Sequence, residues 1–175
     1  TNLSNASQDN IDWRVDDNGT PSNNTGPSTD YNPGTNAGNY IFTEASNCFG
    51  QTAILESQCI DLDQAYDFAF AYHMSGGTMG ELHLDIFTNG DWQNDIITTI
   101  SGNQGTNWLV STVDLTAYSG STVKLRFRGI TGGGFESDIA LDDLIFTPKA
   151  ACNINLSTTA VTCNGLSDGA ISSTI

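Results

Sequence analysis

Hydrophobic and polar residues alternate in three clear runs along this 175-residue chain. In YDFAFAYHM, Phe68, Phe70, Tyr72 and Met74 share one face, opposite Ala69, Ala71 and His73. In GELHLDI, Leu82, Leu84 and Ile86 oppose Glu81, His83 and Asp85; in TVKLRFRG, Val123, Leu125 and Phe127 oppose Lys124, Arg126 and Arg128. A period of two is that of a β-strand that buries one face and wets the other. Five more strand-like runs, NYIFTEAS, QTAILES, DIITTIS, WLVSTVDL and DIALDDLIFT, are set apart by turn signals. The pattern predicts an all-β fold, a jelly-roll-like antiparallel β-sandwich.

The segments outside this pattern set the expected boundaries. Residues 1–40 are rich in Asn, Ser, Thr, Gly and Pro and read as loop, with Trp13 and Tyr40 as anchors that wrap it over the sandwich. Residues 1–10 are expected to be a flexible N-terminal segment and 11–148 the sandwich domain. Beyond Pro148, residues 149–175 read as a linker and the cut-short start of a following module, too short for a core of its own.

Composition narrows the function. Hydrophobic residues make up 38% of the chain, enough for a real core. Five Lys and Arg against twenty Asp and Glu give a net charge of −15, which leaves counterion release too weak to drive nucleic-acid binding. No run is long and apolar enough to insert in a membrane as a helix, and no signal peptide is visible. The four cysteines form two local pairs, Cys48 with Cys59 and Cys152 with Cys163, and none has C-x-x-C spacing. Structural disulfides in an oxidising, extracellular compartment fit that usage, although the spacing leaves the connectivity open.

Read in order, DW, GTPSNNTGPSTD, GNYIFTEAS, YHMSGGTMGELHL, GNQGTNWLVSTVDL and VKLRFRGITGGGFESDIALDDLIF resemble the MAM domain, over roughly residues 11–147. The resemblance implies an extracellular, non-catalytic β-sandwich used for adhesion or ligand recognition beside other domains, with a structural cation in some members. The cysteine usual near that family's N-terminus is absent here, so its disulfide pattern does not carry over. The tail CNINLSTTAVTCNGLSDGAISSTI resembles the opening of a repeat in large surface adhesins of gliding bacteria, implying a secreted or surface-bound multi-domain parent.

Candidate chemistry follows from these readings. His73 and His83, the two histidines, flank SGGTMG; were that a hairpin, they and Glu81 and Asp85 would offer zinc ligands, although strand histidines beside a core are more commonly hydrogen-bonded bystanders. GLSDG at 165–169 matches G-x-S-x-G but lacks a downstream histidine and a helix. No carboxylate pair stands out for glycoside hydrolysis. For a structural Ca²⁺, the resemblance and the oxygen-rich loop DYNPGTNAG point to Asp30 and Asn32 with Asp142 and Asp143, the last two on opposite faces of their strand. Tyr31, Trp92, Tyr118 and Phe135 fall in turns and suit sugar stacking. Lys124, Arg126 and Arg128 form either a ladder for anionic glycans or partners for Glu81 and Asp85. The expected function is a non-catalytic recognition module for a polysaccharide, a cell-surface glycan or a protein; the alternative is a structural spacer or self-association domain.

Overall fold

The computed structural model describes residues 3–5, 9–150, 155–159 and 170–174. In chain order the strands are β1 (Leu3–Asn5), β2 (Trp13–Asp16), β3 (Tyr40–Thr43), β4 (Thr52–Ser57) and β5 (Ile60–Leu62). Then come β6 (Tyr66–Met74), β7 (Glu81–Thr88), β8 (Asp91–Gln93), β9 (Ile100–Ser101) and β10 (Leu109–Asp114). The last are β11 (Ser121–Ile130), β12 (Ile139–Pro148), β13 (Asn155–Thr159) and β14 (Ala170–Thr174). One 3₁₀ turn, Thr116–Tyr118, interrupts them.

Two antiparallel sheets face each other in the jelly-roll-like sandwich that the alternation predicted. The first runs β1-β4-β11-β7-β8, with β5 also on β11 and β9 on β7; the second runs β10-β6-β12-β3-β2. The strands β13 and β14 pair separately as a hairpin. Phe68, Phe70 and Met74 from the second sheet meet Leu84, Leu125 and Phe127 from the first, all buried. Phe70 and Phe127 touch edge to face at 5.0 Å between ring centres. Each such side chain contributes about 1.5–3 kcal/mol when withdrawn from water.

The connections differ from the expectation in one consequential way. Ser75–Gly80 is not a hairpin within one sheet: it carries the chain from β6 in the second sheet to β7 in the first. His73 and His83 therefore lie on the outer faces of opposite sheets, and the zinc cluster does not form. Strand directions place this crossing at the same end as three others: 44–51 (β3 to β4), 102–108 (β9 to β10) and 131–138 (β11 to β12). Four cross-sheet connections that are described throughout thus meet at one end of the sandwich.

The outer faces are also less wet than alternation implied. A loop after β8 covers His83 and Asp85, and residues 20–39 with Trp108 cover His73, so all three are buried. Segment 1–40 contains two short strands: β1 pairs with β4, within the stretch expected to be flexible, and β2 pairs with β3. DIITTIS contributes only Ile100–Ser101 to a sheet, because Asp95 is diverted to the charges beneath it. Pairing of Cys48 with Cys59 is overturned: both are free thiols. The extended β4 runs between them and alone spans about 20 Å, against the roughly 7 Å limit for Cα atoms that a disulfide can bridge. Cys152, Cys163 and GLSDG lie outside the described residues.

Candidate functional site

The site is built where the four crossings meet. The connections 44–51 and 131–138 are stitched together: Gly50 N donates to Gly132 O at 3.1 Å, Thr131 N to Gln51 O at 2.9 Å and Gln51 N to Thr131 Oγ1 at 2.9 Å. Thr131 Oγ1 in turn donates to Cys48 O. These bonds hold Phe49 and Phe135 outward, 48% and 49% exposed. Beside Phe49 opens a cleft of about 540 Å³, floored by Gly80, Gly132 and Gly133 and edged by Glu81 and Ser101. A second groove of about 410 Å³ lies between 24–28 and 106, with the buried His73 in its wall. His73 Nε2 lies 3.2 Å from Thr106 O, and burial lowers the imidazole pKa, so the ring is neutral.

Under the same end lie two buried carboxylates that sequence reading passed over. Asp138 Oδ1 accepts from Ala45 N at 2.9 Å, and Glu44 Oε1 accepts from Ser46 N and Ser22 Oγ, both at 3.0 Å. Asp138 Oδ2 and Glu44 Oε2 are buried and accept no hydrogen bond among the described residues. Burial first, then the charge of Glu44, push the Asp138 carboxyl up to about 6, against contacts from Thr20 and Ala45 that lower it. Thr25 Oγ1 accepts from Asp138 N at 2.9 Å. Two orphaned carboxylate oxygens with hydroxyl and carbonyl oxygens nearby are the donor set a hard cation takes. Among the described residues no group of three or more His, Cys, Asp or Glu gathers as metal ligands, so hydroxyl and backbone oxygens would complete such a set. The only sequence signal was weak: Glu44 closes a strand in FTEAS and Asp138 opens one in SDIAL.

The Asp30 loop and the Asp142–Asp143 pair do meet, by a route the alternation did not foresee, but among the described residues Asp30, Asp142 and Asp143 do not gather as a group of metal ligands. A β-bulge between Asp142 and Ile145, with Asp143 at φ 44°, turns both aspartates toward the Asp30 loop, where opposite faces were expected. Asp142 Oδ2 accepts from Tyr31 N at 2.9 Å and Asp143 Oδ2 from the Asn32 side-chain amide at 3.2 Å. Asp30 Oδ1 accepts from Gly34 N at 2.9 Å and Thr35 N at 2.8 Å, while its buried Oδ2 faces Gly38. Burial, then the neighbouring Asp143 and Asp30 charges, raise the Asp142 pKa, against the two amides it accepts from.

The remaining candidates scatter. Trp92 sits on β8 near the far end, with the Arg126 guanidinium 4.0 Å over its ring; Tyr118 Oη donates to Gln93 at 2.9 Å. Tyr31 is half-exposed above Trp108. Arg126 and Arg128 both close on the fully buried Asp85, at 2.8 and 2.7 Å, and Arg128 also reaches Asp95 at 2.9 Å. Glu81 instead meets His83 Nε2 at 3.3 Å. Burial works to raise the Asp85 pKa, yet Arg128, the Asp95 amide and Arg126 together hold it below the usual carboxylate range. Lys124 lies opposite Phe87. The four turn aromatics and the three cations therefore do not form one surface; of the aromatics, only Phe135 stands at the crossover end.

Comparison with known proteins places this geometry in context. The mouse MAM domain-containing glycosylphosphatidylinositol anchor protein 2 is 33% identical over 152 residues, covering 78% of this chain and 16% of that protein. The chain thus spans about a sixth of that relative's length. The K1 cleaved adhesin domain of Lys-gingipain from Porphyromonas gingivalis W83 shares the fold at TM-score 0.54 and 17% identity, over 85% of this chain and 90% of that one. The structure of TmCBM61 in complex with β-1,4-galactotriose matches at TM-score 0.50 and 13% identity, over 85% and 88%. The family described as MAM domain, meprin/A5/mu matches residues 2–153, and the chain belongs to that family.

Proposed function

We propose that this chain is a non-catalytic, extracellular recognition module whose ligand is a glycan, carried as an accessory within a larger secreted or surface-bound bacterial protein. The observation that carries the reading is the pair of half-exposed phenylalanines, Phe49 and Phe135, on two hydrogen-bonded connections at the crossover end. Both sheets' outer faces are partly roofed by loops, whereas this end presents aromatic rings beside an open cleft of about 540 Å³, a size within the roughly 300–1,000 Å³ of ligand sites. Recognition of a sugar needs only a rigid platform and a few polar groups. Arg126, Arg128 and Lys149 are held by carboxylates, which weakens the case for an anionic partner or nucleic acid. Among the described residues, no helix is long and apolar enough to cross a membrane.

A Ca²⁺ ion fits this reading as a structural brace. Glu44 and Asp138 would hold it, with Thr20 and Thr25 near, and it would neutralise two buried carboxylates that fix 44–51 to 131–138. Asp30, Asn32, Asp142 and Asp143 form the alternative place, where amides already take most of the carboxylate oxygens. A glycan-binding screen over neutral and anionic polysaccharides, run with Ca²⁺ and with chelator, tests the proposal: binding that weakens on chelation supports both parts, and failure against every glycan removes the first.

One observation favours self-association instead. Strand β10 is an open sheet edge carrying Val110, 51% exposed, and Leu109, 37% exposed. Sedimentation across a concentration series decides it: a reversible rise in mass supports pairing through β10.

A further inference from the structure

The cleft beside Phe49 has features that the general reading leaves unused. Gly80 and Gly132 lie where the connections 75–80 and 131–138 cross in contact: a Cβ on Gly80 would collide with Ile130 O, and one on Gly132 with Thr78 O. The floor is therefore bare backbone, over which a flat ring can lie close. At Gly133 a Cβ would meet nothing within 4 Å, so the cleft is open above it. Glu81 and Ser101 are directly paired across β7 and β9 at the rim. His83 Nε2 holds one Glu81 carboxylate oxygen at 3.3 Å, and the Glu81 side chain remains 46% exposed.

Resting on the glycan reading above, we infer that this cleft seats a neutral pyranose residue of a polysaccharide. The apolar face of the sugar packs on the Phe49 ring, and its hydroxyls donate to the Glu81 carboxylate and exchange hydrogen bonds with Ser101. A fixed carboxylate on the rim repels uronic or sulfated sugars and accepts readily from neighbouring hydroxyls. The backbone floor and the Phe49 platform set shape, while Glu81 and Ser101 set orientation. Tyr31 and Tyr118 lie outside the cleft and serve as internal comparisons.

Native affinity electrophoresis through gels containing galactan, xylan or polygalacturonate tests this, with mobility in a plain gel as reference. The wild-type chain is expected to be retarded by at least one of the two neutral polymers. Phe49→Ala removes the platform and Gly133→Leu fills the cleft; each should weaken that retardation about tenfold or more, as for a central contact residue. Tyr31→Ala and Tyr118→Ala should change it less than about twofold. Unchanged melting temperatures, expected for exposed positions, confirm that the variants fold. Retardation that survives Phe49→Ala and Gly133→Leu overturns the cleft and leaves the glycan reading standing. Retardation by polygalacturonate alone overturns the neutral class. No retardation by any polymer overturns both.

Discussion

Asp85 is the residue on which the outer face of the first sheet depends. Its carboxylate is fully buried, bound by Arg126 and Arg128, and accepts the Asp95 amide at 2.9 Å, so it ties β7, β11 and the loop after β8 together. Removing one member of a buried pair leaves an uncompensated charge, so Asp85→Ala should cost about 3–5 kcal/mol in urea unfolding. Its folded pKa is depressed, so the stability it confers is present above the unfolded carboxylate value and is lost as pH falls below it. Asp138 behaves with the opposite sign. Its folded pKa of about 6 exceeds the unfolded value of 3.8, so its favourable contribution is full below 3.8 and lost as pH rises through 6. Without divalent cation, the domain should lose about 2 kcal/mol of stability from this group between pH 4 and pH 7. Calcium should restore the melting temperature at pH 7, and Asp138→Asn should abolish both the pH slope and the calcium gain. A calcium gain that persists in Asp138→Asn and vanishes in Asp30→Asn would move the ion to the other carboxylate group.

The elements were largely legible because a two-residue period fixes both strand and face. The alternating stretches of Tyr66–Met74, Glu81–Thr88 and Ser121–Ile130 form three of the longest strands, with the expected apolar faces inward. What periodicity does not encode is where a chain goes after a strand ends. Ser75–Gly80 has hairpin-like composition yet crosses between sheets, because Gly80 lets it press against the end of β11. Gly80→Ala should therefore destabilise the fold by about 2 kcal/mol or more, since its Cβ would strike backbone that cannot swing aside. Thermal melts against a Gly133→Ala control, where the added methyl meets open space, check this. The bulge at Asp142 is the same kind of omission. One extra residue in β12 turns two aspartates toward one loop, and no alternation rule predicts it.

At the scale of the whole molecule, the resemblance to the MAM domain implied a recognition domain before any contact was visible, while the charge balance set nucleic acid aside. The site was less legible. Turn aromatics were identifiable by type, but whether they meet depends on strand direction, which sends Trp92 toward one end and Phe135 to the other. Phe49 drew no notice because its neighbours in sequence are a cysteine and a glycine, while its cleft is made, Gly50 apart, by residues 30 to 84 positions away. Four crossings gathered at one end, two of them tied by main-chain hydrogen bonds, give a rigid frame for recognition. On the proposed reading, the loop-borne phenylalanines would bind without reordering backbone, which would keep the entropic cost of association low.

The most direct test of recognition at the crossover end is an amide ¹H–¹⁵N chemical-shift map recorded while a neutral oligosaccharide, xylohexaose or galactotriose, is added. The account predicts saturable shifts concentrated on Phe49, Gly50, Gly80, Glu81, Gly132 and Gly133. Shifts concentrated instead around Trp92 and Tyr118 at the opposite end, or no shifts with either sugar at millimolar concentration, would contradict it.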